Sequence, residues 1–214
     1  MLQALVIGAG NFGATVALEM AAKGCEVVVI DNDHEHLDDL RDKVGRAILG
    51  DATDKMLLEK FVKGMDVVVV SLGEKVDASV LITHHLHEMG MKRIITKATS
   101  KDHGEILKII GAHEVVFPER DEAIRLVSTL VSPNIVDMIK ISEDFNVVEA
   151  AVPQEFIGKK IKDLDVRKKH GIQVLAIKNA LSGKVNVLPD PAYAFQADDI
   201  MIVIGDPENL SKAK

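Results

Sequence analysis

Six residues, Gly8-Ala9-Gly10-Asn11-Phe12-Gly13, carry the spacing of a phosphate-binding turn. Glycine in the first place permits a tight turn. In the second it lets a pyrophosphate come against bare backbone, and in the third it lets a helix pack closely on a strand. Free N–H groups at the start of that helix, here near Phe12, would then receive phosphate oxygens, and the helix dipole favours their charge. An acid closing the next strand, about 20 residues on, completes the pattern by accepting hydrogen bonds from an adenosine ribose. Asp31 holds that place. Its charge would repel a 2′-phosphate, so NAD or another adenine nucleotide is expected ahead of NADP.

Further candidates follow later apolar runs. Gly50-Asp51-Ala52-Thr53 ends the third run, where Asp51 and Ala52 would line an adenine and Thr53 or Asp54 would cap a helix. Ser71-Leu72-Gly73 ends the fourth, with Ser71 and Gly73 placed to close the pocket floor. Pro118-Glu119-Arg120-Asp121 follows the sixth. A carboxylate beside phosphates repels them unless a divalent cation lies between, which makes Glu119 a candidate ligand for Mg²⁺ or Ca²⁺. A solvated acid at a helix start is the plainer alternative. His84, His85, His87 and Glu88 share a helix, with His84 and Glu88 on one face, but too few ligands accompany them for a zinc site. Cys25 opens a strand and reads as a buried, inert thiol. No Ser-His-Asp set, carboxylate pair or Cys-His pair can be assembled, so no catalytic residue is assigned. An NAD-dependent oxidoreductase, the competing class, would need an acid, a base or a metal facing the nicotinamide.

These residues need a scaffold, and the chain supplies one. Short Val/Ile-rich runs at Leu2–Ile7, Glu26–Asp31, Arg46–Leu49, Asp66–Ser71, Arg93–Lys97 and Glu114–Phe117 lack the alternation of a one-sided sheet. Helical segments lie between them, at Lys55–Val62, Val76–Met89 and Lys101–Ile110, with Gly64, Gly90 and Gly111 just beyond their ends. Strand and helix in turn predict an α/β domain with a doubly wound, Rossmann-like parallel sheet over residues 1–133. Arg120–Leu130 and Asn134–Lys140 then read as a crossover helix pair, the second a short linker helix over 134–140. From Ile141 the rhythm changes. Strands at Val147–Val152, Gln173–Ile177, Val185–Leu188 and Ile200–Ile204, a hairpin turn at Ser182-Gly183 and a helix at Ile161–His170 predict a small α+β domain over 141–214.

Composition narrows the function. Of 214 residues 47% are hydrophobic, ample for a core, yet there are only six Phe, one Tyr and no Trp. Net charge is −7, from 26 basic and 33 acidic residues. An acidic chain with few stacking rings does not suit nucleic acid. One cysteine rules out an intrachain disulfide and fits a reducing compartment. Met1–Leu18 is uncharged but is broken by glycines and Asn11 and has no basic lead, so neither a signal nor a span is expected there.

Taken together, the glycine motif, Asp31, Gly50-Asp51-Ala52-Thr53, the Pro118-Glu119 step and Leu164-Asp165-Val166-Arg167 resemble the Trk/Ktr-type potassium-uptake regulatory subunits, built from RCK N- and C-terminal domains. The resemblance implies a cytoplasmic, ligand-sensing protein at the inner face of the cell membrane. It implies dimers assembling into a larger ring, typically an octamer, that gates a separate potassium-translocating membrane subunit. Implied ligands are NAD(H), ATP, ADP or AMP, and Arg120–Lys140 is implied to pack on the neighbouring subunit. Relatives that respond strongly to ATP often carry Arg after the second glycine; Asn11 here leaves NAD(H), ADP or AMP as the expected ligands. Some relatives bind cyclic di-AMP in the C-terminal domain, where Ile161, Asp165, Arg167 and Pro189 fall in the matching region.

Overall fold

The computed structural model describes residues 1–131, 135–142 and 145–205. The chain divides into two compact units, Met1–Pro118 and Glu119–Lys214.

The first unit is built on six parallel strands: β1 (Gln3–Ile7), β2 (Glu26–Asp31), β3 (Arg46–Leu49), β4 (Val67–Val70), β5 (Ile94–Lys97) and β6 (Glu114–Val116). Their order, β3-β2-β1-β4-β5-β6, reverses direction between β1 and β4. Clefts that bind ligands open at such a reversal, outside the carboxyl ends of the strands. Successive residues of β1 point to opposite faces, and both faces are covered. Leu5 and Ile7 join Leu58 of α3 (Lys55–Val62) and Ile82 and Leu86 of α4 (Val76–Glu88). Val6 joins Ala17 of α1 (Asn11–Ala22) and Leu37 of α2 (His34–Asp38). This two-sided burial explains the unbroken apolar runs.

Side chains cap three of this unit's five helices. Asp33 accepts from the Glu35 N–H at α2, Asp54 from the Met56 N–H at α3, and Ser100 from the His103 N–H at α5 (Lys101–Ile109). Only α2, a single capped turn, was too short to register as a period in the sequence. α1 has Gly10 at its cap, with no side-chain cap and no acid in its first turn; α4 also lacks a side-chain cap but carries Asp77 in its first turn.

The second unit begins with α6 (Pro118–Val131), which groups with it and not with the parallel sheet to which the sequence reading attached it. The linker helix expected over 134–140 does not form at 135–140, and Asn134 lies outside the described residues. Ile135–Lys140 forms strand β7, antiparallel to β8 (Asn146–Ala151). β-branched Ile135, Val136 and Ile139 favour that pleated surface, and Ile135 and Met138 pack on the core beneath. Ser132-Pro133, read as punctuation, lies outside the described residues. The sheet, in the order β10-β9-β11-β8-β7, is completed by β9 (Ile172–Asn179), β10 (Val185–Val187) and β11 (Asp199–Gly205). Here burial alternates strictly along β11, the mark of a sheet with one covered face. The predicted turn at Ser182-Gly183 joins β9 to β10, with Gly183 at φ +68°. The predicted helix over Ile161–His170 is broken into α7 (Ile161–Leu164) and α8 (Val166–His170) by Asp165 in the left-handed region, φ +48°.

Most of the chain's few aromatics in this unit meet in its core, where Phe195 (1% exposed) lies 6.1 Å from Phe156 and 6.4 Å from Tyr193 between ring centres. Phe195→Ala should therefore cost about 3–5 kcal/mol, read as a lower urea midpoint.

Candidate functional site

Three backbone hydrogen bonds gather the candidate residues at one edge of the parallel sheet. Gly8 N–H donates to Ile30 C=O at 2.9 Å, Ser71 N–H to Ile7 C=O at 2.7 Å and Gly50 N–H to Asp31 C=O at 2.9 Å. The glycine turn, Asp31, Gly50-Asp51 and Ser71 thus share the carboxyl ends of β1 to β4.

The three glycines do different work. Gly8 sits at φ +90°, and a Cβ there would run into the Ser71 carbonyl. A Cβ on Gly13 would run into the Gly8 carbonyl. Both positions are bare so that the turn, β4 and the start of α1 can touch. Gly10 is the opposite case: a Cβ there would meet nothing within 4 Å. Its missing side chain leaves open space before an uncapped helix of positive dipole, the arrangement that accepts an anion. Asn11 is exposed and Phe12 half-buried at the mouth, with the Lys97 ammonium 6.0 Å from the Phe12 ring centre.

Asp31 is buried, and its carboxylate fixes the loop above it. Oδ2 accepts the Ala9 N–H at 2.5 Å, and Oδ1 accepts the Asp33 N–H at 2.8 Å. Charged and held by two amides, it keeps acceptor capacity for a ribose hydroxyl. Ala52 is buried and Asp51 exposed. Asp51 Oδ1 accepts from the Thr53 hydroxyl at 2.7 Å and the Thr53 N–H at 2.9 Å. These bonds hold the Asp51 carboxyl below the usual range, with a smaller pull from Lys75. Since Asp54 is the cap of α3, neither Asp51 nor Thr53 is needed there. Ser71 is buried under the turn, and Gly73 lies beyond it at φ +59° with space around it.

Several side chains at this edge escaped the sequence reading. Lys75 Nζ donates to Asn32 Oδ1 at 3.3 Å, tying the loop after β4 to the loop after β2. Lys97 ends β5 and His36 faces Asp31. The available signal was position: each stands at or soon after the carboxyl end of a strand in a doubly wound sheet. Glu119 lies in the first turn of α6, in the second unit. Ile161 opens α7, Asp165 and Arg167 flank the start of α8, and Pro189 follows β10. Among the described residues no three His, Cys, Asp or Glu side chains are grouped to hold a metal. Glu88 contacts His84 at 3.6 Å and Lys55 at 3.0 Å. Nor, among the described residues, is any helix long and apolar enough to cross a membrane.

A dinucleotide-type turn, an open Gly10 and a buried acid on a β3-β2-β1-β4-β5-β6 sheet define a Rossmann-like nucleotide-binding fold. Its family is specific. The TrkA-N domain matches residues 4–118 and the TrkA-C domain residues 147–214, so the chain belongs to the TrkA-N family and carries a TrkA-C domain behind it. It is 35% identical over 208 residues to Ktr system potassium uptake protein C of Bacillus subtilis (strain 168), covering 97% of this chain and 93% of that protein. To Ktr system potassium uptake protein A of the same organism it is 29% identical over 211 residues, 98% of this chain and 94% of that one. A solved structure, the GsuK channel bound to NAD, matches with a TM-score of 0.66 at 17% identity, over 98% of this chain and 38% of the channel chain. That likeness shows the shared fold.

Asp31→Asn would set an amide N–H₂ or an uncharged oxygen against two backbone donors. A loss of about 1–3 kcal/mol in unfolding free energy is expected without any ligand, measured in urea against the parent chain.

Proposed function

We propose that this protein is a cytoplasmic, nucleotide-sensing regulatory subunit of a potassium-uptake system, and that it turns no substrate over. The observation that carries the reading is the open face of Gly10 before the uncapped start of α1, beside the buried acid Asp31. Phosphates fit the turn, the ribose fits Asp31, and Asp51, Ala52, Ser71 and Gly73 fit the adenosine end. Membership of the TrkA-N family and the likeness to two Ktr potassium-uptake proteins support the physiological role. NAD in the GsuK structure supports NAD(H) as one ligand, with ADP and AMP as alternatives of the same chemistry.

A sensor must pass its state on, and the apolar side of α6 offers the means. Ile124 (54% exposed), Val127 (54%), Leu130 (70%) and Val131 (72%) lie open, and no α6 residue is buried. A second copy of the chain is the proposed cover, in a dimer that builds a larger ring, with a membrane potassium-translocating subunit as partner. Ligand moves such a ring only if it binds one state more tightly. A tenfold preference contributes about 1.4 kcal/mol per site, and equivalent sites act together. Glu119 is the proposed ligand of a divalent cation.

The test is potassium flux in vesicles carrying the membrane partner, with and without this chain. NAD(H), ADP, AMP and ATP should change flux with Mg²⁺ or Ca²⁺ present, and Glu119→Gln should blunt the cation dependence. NADP should bind more weakly by calorimetry. Stoichiometric binding with unchanged flux, or steady conversion of NAD(H), would overturn the reading. Separately, light scattering should give a dimer or larger ring, and Leu130→Asp should shift it to smaller species with an unchanged circular dichroism spectrum.

A further inference from the structure

His36 is the third residue of α2, and its Nδ1 lies 3.3 Å from Asp31 Oδ2. The ring is half exposed (48%), the carboxylate nearly closed off (8%). We propose that His36 is a specificity-determining gate at the ribose end of the site, competing with the ribose hydroxyl for Asp31 and so making nucleotide affinity depend on pH.

A carboxylate offers about four acceptor positions, two on each oxygen. On Oδ2 the Ala9 N–H takes one, and His36 takes the other whenever its Nδ1 carries a hydrogen; on Oδ1 the Asp33 N–H takes one. A single position is then left, whereas a ribose diol gripping both oxygens needs one on each. The amides are backbone and cannot leave. His36 can, because its ring borders solvent.

The proton decides how readily it leaves. A protonated imidazole donates from both nitrogens and forms a charge-assisted pair with Asp31. A neutral ring with its hydrogen on Nε2 turns a lone pair toward Oδ2 and has nothing to hold it. Imidazole changes charge between pH 5 and 8, within the working range of a cell. The other ionisable groups on α2 and the strands it packs against are His34, Glu35 and Asp38 on α2, Glu26 on β2 and Arg46 on β3, with Asp33 between β2 and α2. Asp38 is paired with Arg41 at 3.2 Å and His34 at 3.9 Å, and Asp33 is the α2 cap. Asp31 is the acid in contact with the His36 ring. Nucleotide binding therefore expels a proton, and affinity rises with pH.

The inference rests on the nucleotide-binding reading above, and the experiment separates the two. NAD and ADP are titrated calorimetrically from pH 5.5 to pH 7.5 into the parent chain, His36→Ala and His36→Gln. Comparison with the variants at each pH cancels the titration of the ADP phosphates themselves. The parent should gain affinity from the low to the high end of that range. The alanine variant should bind NAD with no slope. Glutamine, which can donate to Asp31 but not titrate, should bind NAD more weakly than alanine and also without slope. Parallel curves for parent and both variants would overturn the role of His36 and leave nucleotide binding standing. No binding of either nucleotide by any of the three chains at pH 7.5 would overturn the nucleotide reading, and this one with it.

Discussion

A helix can start against the carboxyl edge of a sheet only where side chains are missing. Gly13 under α1 meets the Gly8 carbonyl, and Gly8 meets the Ser71 carbonyl at the end of β4. These two contacts set where α1 begins and how its first N–H groups are aimed. They also explain why the reversal between β1 and β4 is a cleft and not a filled corner, since any Cβ there would force the turn away from β4. The open flank of Gly10 follows from the same turn.

Asp31 locks that turn from the other side. A carboxylate so far from water must be hydrogen-bonded, and the loop it supports supplies the donors, Ala9 from the glycine turn and Asp33 from its own strand end. One side chain thus joins β2 to the phosphate turn and faces the site as well. The contrast among helix starts fits this. α2, α3 and α5 are closed by their own side chains, whereas α1, like α4, has no side-chain cap, and α1 alone of these two has no acid in its first turn.

Much of this was legible in the sequence. The six parallel strands declare themselves by Val/Ile runs that need cover on both faces, and α3, α4 and α5 by caps and terminal glycines. The glycine spacing located the turn because steric exclusion at Gly8 and Gly13 is a local matter. What escaped depends on partners distant in sequence. Ile135–Lys140 has spacing that suits a helix as well as a strand, and only β8 beside it settles the choice. The kink at Asp165 uses a left-handed backbone in a residue other than glycine. His36 and Lys75 matter through Asp31 and Asn32, contacts that no periodicity records.

The central position of β1 has a consequence for how the chain is made. It is flanked by β2 on one side and β4 on the other, and the β4 side is joined at Gln3 and Asp66, 63 positions apart. Leu5, Val6 and Ile7, each fully buried in the finished unit, lack that neighbour until β4 has been synthesised. At about 5–20 residues per second the wait lasts several seconds. During it, one edge of this apolar strand stays unpaired, able to bind any other extended segment. The fold that opens a cleft between β1 and β4 thus leaves the nascent chain with an interval in which chaperones, or neighbouring nascent copies, compete for β1.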